Sequence, residues 1–227
     1  MKRANFKTIY VTVICLIITL LCGCNLFVTD KDKFYMDKNL ITTLSDIDIE
    51  KSGRDIIIPA KVGDTTVSKI YLADPYFAWI DSLDVSKVKE LESFTIILFD
   101  PKNKSKLKEL DFSKNKKLRL IEIGQTKALK DIKFNSTCES IHLNGTSVKK
   151  VELKKLEKLE DFSYFDGPLE ELDISNNPNI EEIWIKNTNI KVLDVSKNPK
   201  LRIITVDKGT QVIGPTNAQI EYNKKTE

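Results

Sequence analysis

The chain has 227 residues, enough for one elongated domain or a compact core with a small cap, and too few to add a separate catalytic domain comfortably. Its 36 Lys and Arg against 33 Asp and Glu look mildly basic, but Lys2, Arg3 and Lys7 sit within positions 1–23, which hold no acid, and the remainder balances at 33 against 33. That balance, with only four arginines (Arg3, Arg54, Arg119, Arg202), argues against a nucleic-acid partner, which would call for excess positive charge and guanidinium forks.

Residues 1–23 have the parts of an export signal: a basic start, an apolar run from Ile9 to Leu21, and a small-residue cleavage region. The run falls short of the ~20 residues a bilayer-crossing helix needs, so a retained transmembrane anchor is the weaker alternative. Leu21-Cys22-Gly23-Cys24 resembles the lipobox of bacterial lipoproteins. The resemblance implies that Cys24 is acylated and becomes the first residue, held stably by several chains where one would hold marginally. An ordinary secretory signal with a chance cysteine is the other reading. The expected location is the cell envelope, anchored to a membrane and outermost or at the cell surface, with Asn25 leaving the leaflet open.

Residues 24–40, rich in Lys and Asp, read as a lipidated polar tether. An N-terminal β cap is expected over 41–79, with Asp55-Ile56-Ile57-Ile58-Pro59-Ala60 and Val67-Ser68-Lys69-Ile70 as strands about a Gly63-Asp64 turn. Phe77 and Trp79 are expected to plug the first turn. With Cys15 and Cys22 in the leader, Cys138 is the one thiol left, so no internal disulfide is available. Its place in the repeat predicts a buried small hydrophobe.

From residue 80 to 208 the sequence repeats. Leu172-Asp173-Ile174-Ser175-Asn176-Asn177-Pro178-Asn179-Ile180 returns one repeat later as Leu193-Asp194-Val195-Ser196-Lys197-Asn198-Pro199-Lys200-Leu201, and Leu110-Asp111-Phe112-Ser113-Lys114-Asn115 is an earlier copy. Leu83-Asp84-Val85-Ser86 is a shorter relative. Interleaved with these runs a second series, Ile121-x-Ile123, Ile141-x-Leu143, Phe162-x-Tyr164, Ile183-x-Ile185 and Ile204-x-Val206. Apolar residues at period two define half-buried strands, so the alternation predicts two strand segments per 21-residue turn. One such turn cannot bury its apolar side, whereas stacked turns share a continuous core, with Asn and Ser at corners satisfying backbone groups no strand partner reaches. Residues 209–227 are expected to close the stack as a last strand or hairpin followed by a frayed tail.

The pattern from Ile180 to Asn198 resembles the leucine-rich repeat, in its bacterial 21-residue variety whose second half reads LxxLDVSxN. The segment over Asp55–Ile70 is similar to the start of BspA-type bacterial surface repeats. The resemblance implies a mostly β, leucine-rich-repeat solenoid with two short parallel strands per turn, and a role in binding or adhesion without naming a ligand. Around Leu91–Ser105 the spacing stretches and leaves the register open.

Catalysis finds few candidates: one histidine, His142, with no triad or metal partner nearby in sequence, and no glycine-rich phosphate loop among eight glycines. Neither an enzymatic role nor a cofactor is expected. Asp84, Asp111, Asp173 and Asp194 would line up as an acidic row, a cation or basic-partner surface on one reading and plain corner structure on the favoured one. The sheet series carries more information because its outward slots vary. One residue past each lead come Glu122, His142, Ser163, Trp184 and Thr205, and two further on Gly124, Asn144, Phe165, Lys186 and Asp207. Adjacent turns would set them about 5 Å apart, so Trp184, Phe165, His142, Lys186, Ser163, Thr205 and Glu122 form the candidate partner surface. A cap covering Trp184, or an inverted face, is the equal alternative. The expected partner is a protein of a host or neighbouring cell, with a glycan stacking on the aromatics, or a purely structural spacer, as competing readings.

Overall fold

A computed structural model describes residues 34–37, 40–44, 55–73, 80–98 and 106–224. The export signal, Cys24, most of the tether, Phe77, Trp79 and the last three residues lie outside that set. The strands in chain order are β1 (Phe34–Asp37), β2 (Leu40–Leu44), β3 (Asp55–Ile57), β4 (Lys61–Val62), β5 (Thr65–Thr66) and β6 (Lys69–Ala73). Then follow β7 (Ser82–Asp84), β8 (Ser93–Ile97), β9 (Glu109–Asp111), β10 (Leu120–Gly124), β11 (Asp131–Lys133) and β12 (Ser140–Asn144). The last six are β13 (Asp161–Phe165), β14 (Glu182–Lys186), β15 (Val192–Asp194), β16 (Ile203–Asp207), β17 (Gln211–Ile213) and β18 (Gln219–Asn223). No helix occurs among the described residues.

Ten strands form one sheet in the order β1-β2-β6-β8-β10-β12-β13-β14-β16-β18. From β2 onward every neighbour in it is parallel, while β1 and β2 pair antiparallel. Parallel neighbours need a crossover, and here each crossover is the other half of a turn, so the chain winds as a solenoid. The fold is a leucine-rich-repeat-type solenoid.

The sheet extends past the repeat at both ends. Ile70 and Phe94 stand in register with each other, and Phe94 with Ile121, so β6 and β8 continue the series across steps longer than the repeat. This fixes the register that stretched spacing had left open. At the far end β17 and β18 run parallel to β15 and β16, one in each half of the turn, so of the last strand or hairpin expected there, residues 209–223 form closing strands that add a further turn, with no hairpin between them. β1 falls inside the segment read as tether, so the sheet begins by Phe34. The Gly63-Asp64 turn is present as the β4–β5 hairpin, with Gly63 at φ 59°.

The second half of each turn is less regular than two strands per turn implies. It holds three separate two-stranded pairs, β3–β7, β9–β11 and β15–β17, and an isolated bridge between Lys150 and Glu171. The Leu-Asp-x-Ser copies end β7, β9 and β15 at their aspartates, and the copy at Leu172 closes the same corner without a strand, because the serine N–H turns back onto the aspartate Oδ1: Ser86 on Asp84 (2.7 Å), Ser113 on Asp111 (2.9 Å), Ser175 on Asp173 (3.0 Å) and Ser196 on Asp194 (2.9 Å).

The core is a single column between the halves, with Phe94, Ile121, Ile141, Phe162, Ile183 and Ile204 all fully buried from the sheet side. Leu193 faces them at 0 % exposure, and truncating it to alanine removes ~2–5 kcal/mol of transfer and packing energy. Corner asparagines tie one turn to the next. Asn115 Nδ2 donates to Val85 O (2.9 Å) and Val88 O (2.8 Å), Asn177 Nδ2 to Leu153 O (2.9 Å) and Leu156 O (2.8 Å), and Asn198 Nδ2 to Ile174 O and Asn177 O (both 2.9 Å). Cys138 is buried as expected: its Sγ donates to Asn135 Oδ1 (2.7 Å), and loss of hydration pushes the thiol up to about 12.

Candidate recognition surface on the ten-stranded sheet

The strands place the varying residues in two rows. Glu122 pairs with His142, His142 with Ser163, Ser163 with Trp184, and Trp184 with Thr205. Beside them Gly124 pairs with Asn144, Asn144 with Phe165, and Phe165 with Lys186. The structure thus brings all seven candidates together, facing away from the core, since Ile and Leu at the intervening positions are buried.

Exposure divides the seven. Glu122, His142, Phe165, Trp184 and Lys186 are half-exposed, whereas Ser163 (5 %) and Thr205 (3 %) are buried. The two short side chains lie on the floor between longer neighbours, so they shape the surface without projecting from it. Ser163 Oγ meets His142 Nδ1 at 2.8 Å and thereby orients the imidazole. Trp184 Nε1 donates to Glu182 Oε2 (3.2 Å), and Glu182 also accepts from Arg202 (3.3 Å). Glu182 lies one slot before the row the sequence singled out, and its tie to the indole marks it as part of the surface. Tyr71 and Glu221, at the row's two ends, are exposed extensions.

Asp207 leaves the row altogether. It is 1 % exposed, and its carboxylate accepts from the N–H groups of Asn187 and Thr188 (both 2.8 Å) and from Thr188 Oγ1 (3.1 Å). In the turns before it, the residue just past the strand donates instead to a neighbouring carbonyl: Gln125 to Asn144 O (2.7 Å), Gly145 to Phe165 O (2.9 Å), Asp166 to Lys186 O (3.0 Å). All four corner residues, Asn187 included, adopt a left-handed φ between 53° and 61°. Asp207 therefore supplies the acceptor at Asn187, a structural use of its charge.

The acidic row on the other half of the turn is likewise architecture. Hydrogen bonds from Ser113, Ser175 and Ser196 hold Asp111, Asp173 and Asp194 below the usual carboxylate range. Among the described residues no three His, Cys, Asp or Glu side chains converge where a metal ion would be held.

An interior substitution was not legible beforehand. Tyr164 occupies a core slot filled by Ile or Leu in the adjacent turns, and its hydroxyl reaches the corner, donating to Val148 O (2.6 Å) and accepting from Thr146 Oγ1 (3.2 Å). Burial pushes its phenol up to about 12. Where the other corners carry Thr126, Thr146 and Thr188, this turn has Gly167, whose missing side chain leaves room for the Tyr164 hydroxyl.

No family model matches the chain, and no curated protein matches it. Among solved structures it is similar to the functional domain of InlJ from Listeria monocytogenes, which includes a cysteine ladder. The identity is 20 %, the match covers 78 % of this chain and 28 % of that one, and the TM-score is 0.35. The chain thus spans under a third of that relative's length.

Proposed function

We propose that the sheet face between β10 and β16 recognises a protein partner, a component of a host or neighbouring cell, and that the chain is a cell-envelope lipoprotein held by lipid on Cys24. The observation that carries the binding role is the half-exposed patch of Trp184, Phe165, His142 and Lys186 in one register on a rigid parallel sheet. An aromatic at the centre of such a patch, ringed by polar groups, is the arrangement in which a few side chains supply most of the binding energy. Repeat architecture holds the backbone constant while these slots vary, which suits recognition rather than bond-making.

Trp184→Ala is the test. Because the indole stands on the outer face, the variant keeps its unfolding midpoint while its retention on partner-bearing cell surfaces falls; undiminished retention removes the patch. Inhibition of retention by free sugars would redirect the reading to a glycan ligand. The anchor rests on the Leu21–Cys24 pattern. Cys24→Ala is expected to release the chain from membranes into the medium, and a variant still sedimenting with membranes contradicts lipidation.

A further inference from the structure

One outward slot on this face is a glycine, overhung by the neighbouring Ile97 side chain. Gly124 sits in a row whose neighbours carry Ile97, Asn144 and Phe165, and its pairing to β8 and β12 runs without a bulge. Its φ is not in the left-handed region, where Gly63, Gly145, Gly209 and Gly214 lie, so the backbone does not require glycine there. The group that approaches closely here is Ile97, whose Cγ2 would lie 3.1 Å from a Cβ placed on Gly124. Beside it lies a groove of about 540 Å³ lined by Ile97, Glu122, Gly124, His142, Asn144 and Phe165, among others.

The groove has two chemistries. Ile97 and Phe165 offer apolar walls. Glu122 offers a half-buried carboxylate whose one hydrogen bond among the described residues comes from Thr95 Oγ1 at 3.4 Å, with no cation among them in ion-pairing reach. The other two acids on the outward slots of β10 to β14 are engaged: Asp161 accepts from Ser140 Oγ (3.2 Å), and Glu182 from Arg202 and Trp184. Against these three acids the same slots hold one lysine, Lys186. An apolar-walled groove with an uncompensated carboxylate fits a long aliphatic stem ending in a positive charge.

We propose that the groove beside Gly124 is a subsite for a lysine or arginine side chain of the protein partner, an assignment that rests on the sheet face being the recognition surface. The stem lies along the row from Ile97 to Phe165, and its charge meets Glu122. The test is an amide-resolved NMR titration of the protein with Nα-acetyl-lysine methylamide, its arginine counterpart, and the norleucine analogue, which keeps the stem and lacks the charge. The expected result is a saturable shift at the Gly124, Gln125 and Asn144 amides with lysine and arginine, and binding about tenfold weaker with norleucine. Glu122→Gln is expected to bring the lysine analogue down to the norleucine level. Gly124→Ala places a methyl 3.1 Å from Ile97 Cγ2 and is expected to lower affinity for all three; should it fail to fold, Glu122→Gln carries the test alone. Absence of a saturable shift, equal binding of norleucine, or an unchanged Glu122→Gln titration overturns the proposal. The titration reads Gly124 whereas partner retention reads Trp184, so failure of the subsite is distinguishable from failure of the recognition surface.

Discussion

Replacing Asn177 by alanine removes two buried links between successive turns, and its cost can be worked from the geometry. Nδ2 donates to Leu153 O and Leu156 O, but each carbonyl keeps a second donor inside its own corner: Leu156 N–H on Leu153 O (2.9 Å) and Leu159 N–H on Leu156 O (3.0 Å). Neither carbonyl is orphaned, so each lost bond counts at its net value of about 0.5–1.5 kcal/mol and not at the full desolvation penalty. Asn177 is 0 % exposed, and the vacated amide leaves a void worth roughly 1 kcal/mol. Working the other way, Asn177 Oδ1 is buried without a hydrogen-bond donor among the described residues, and its removal relieves about 1 kcal/mol. The balance is a loss of about 1–3 kcal/mol, a sizeable part of the roughly 5–15 kcal/mol typical of a domain. Urea denaturation should show a midpoint lowered by about 0.5–1.5 M. Asn176→Ala, one residue away and exposed, is the control and should stay within about 0.5 kcal/mol of the parent. Leu156 fills the equivalent slot one turn earlier, so Asn177→Leu should recover the packing without the hydrogen bonds and fall between the two. Equal midpoints for Asn177→Ala and Asn176→Ala would refute the ladder as a source of stability.

Two further predictions concern the interior and the corners. Tyr164→Phe keeps the ring but leaves Val148 O and the Thr146 hydroxyl each short of a partner, so it should cost about 1–3 kcal/mol in the same denaturation assay; a change under about 0.5 kcal/mol would show the hydroxyl to be idle. Asp111, Asp173 and Asp194 have folded-state affinities for protons depressed by their serine hydrogen bonds, relative to about 3.9 unfolded. Their contribution is therefore present above about pH 4 and is lost as pH falls through the depressed folded values. Asp173→Asn combined with Asp194→Asn keeps an Oδ1 acceptor and removes the titration, so stability measured below about pH 4 should fall less steeply than in the parent; an identical acid limb contradicts the assignment.

Much of this was legible because a stacked repeat translates sequence period directly into space. The spacing of Ile121, Ile141, Phe162, Ile183 and Ile204 fixed which outward residues become cross-strand neighbours, and the structure pairs them in that register. The Leu-Asp-x-Ser corners could be read as structure because an aspartate followed two residues later by a serine at a strand's end closes a local turn. What stayed hidden has physical reasons. β6 and β8 join the sheet across steps longer than the repeat, because a solenoid fixes where each strand packs but not how much chain connects one strand to the next. β1 was concealed by the Lys and Asp around it. Burial of Ser163 and Thr205 depends on the bulk of their neighbours, which a strand period does not encode. The Tyr164–Gly167 exchange spreads one hydrogen-bond solution over two positions of a turn, and the lean of Ile97 over Gly124 is a side-chain orientation that a strand period does not encode.

The measurement that bears most directly on the sheet face as the recognition surface is a scan of photo-crosslinking residues carried out in intact cells exposed to partner-bearing surfaces. Crosslinkers at His142, Trp184 and Lys186 lie on the outward rows, while those at Lys155, Asp173 and Lys191 lie on the corners and the opposite half of the turn. The account predicts a common protein adduct from the first three and none from the second. Adducts from Lys155, Asp173 or Lys191, with His142, Trp184 and Lys186 silent, would contradict it.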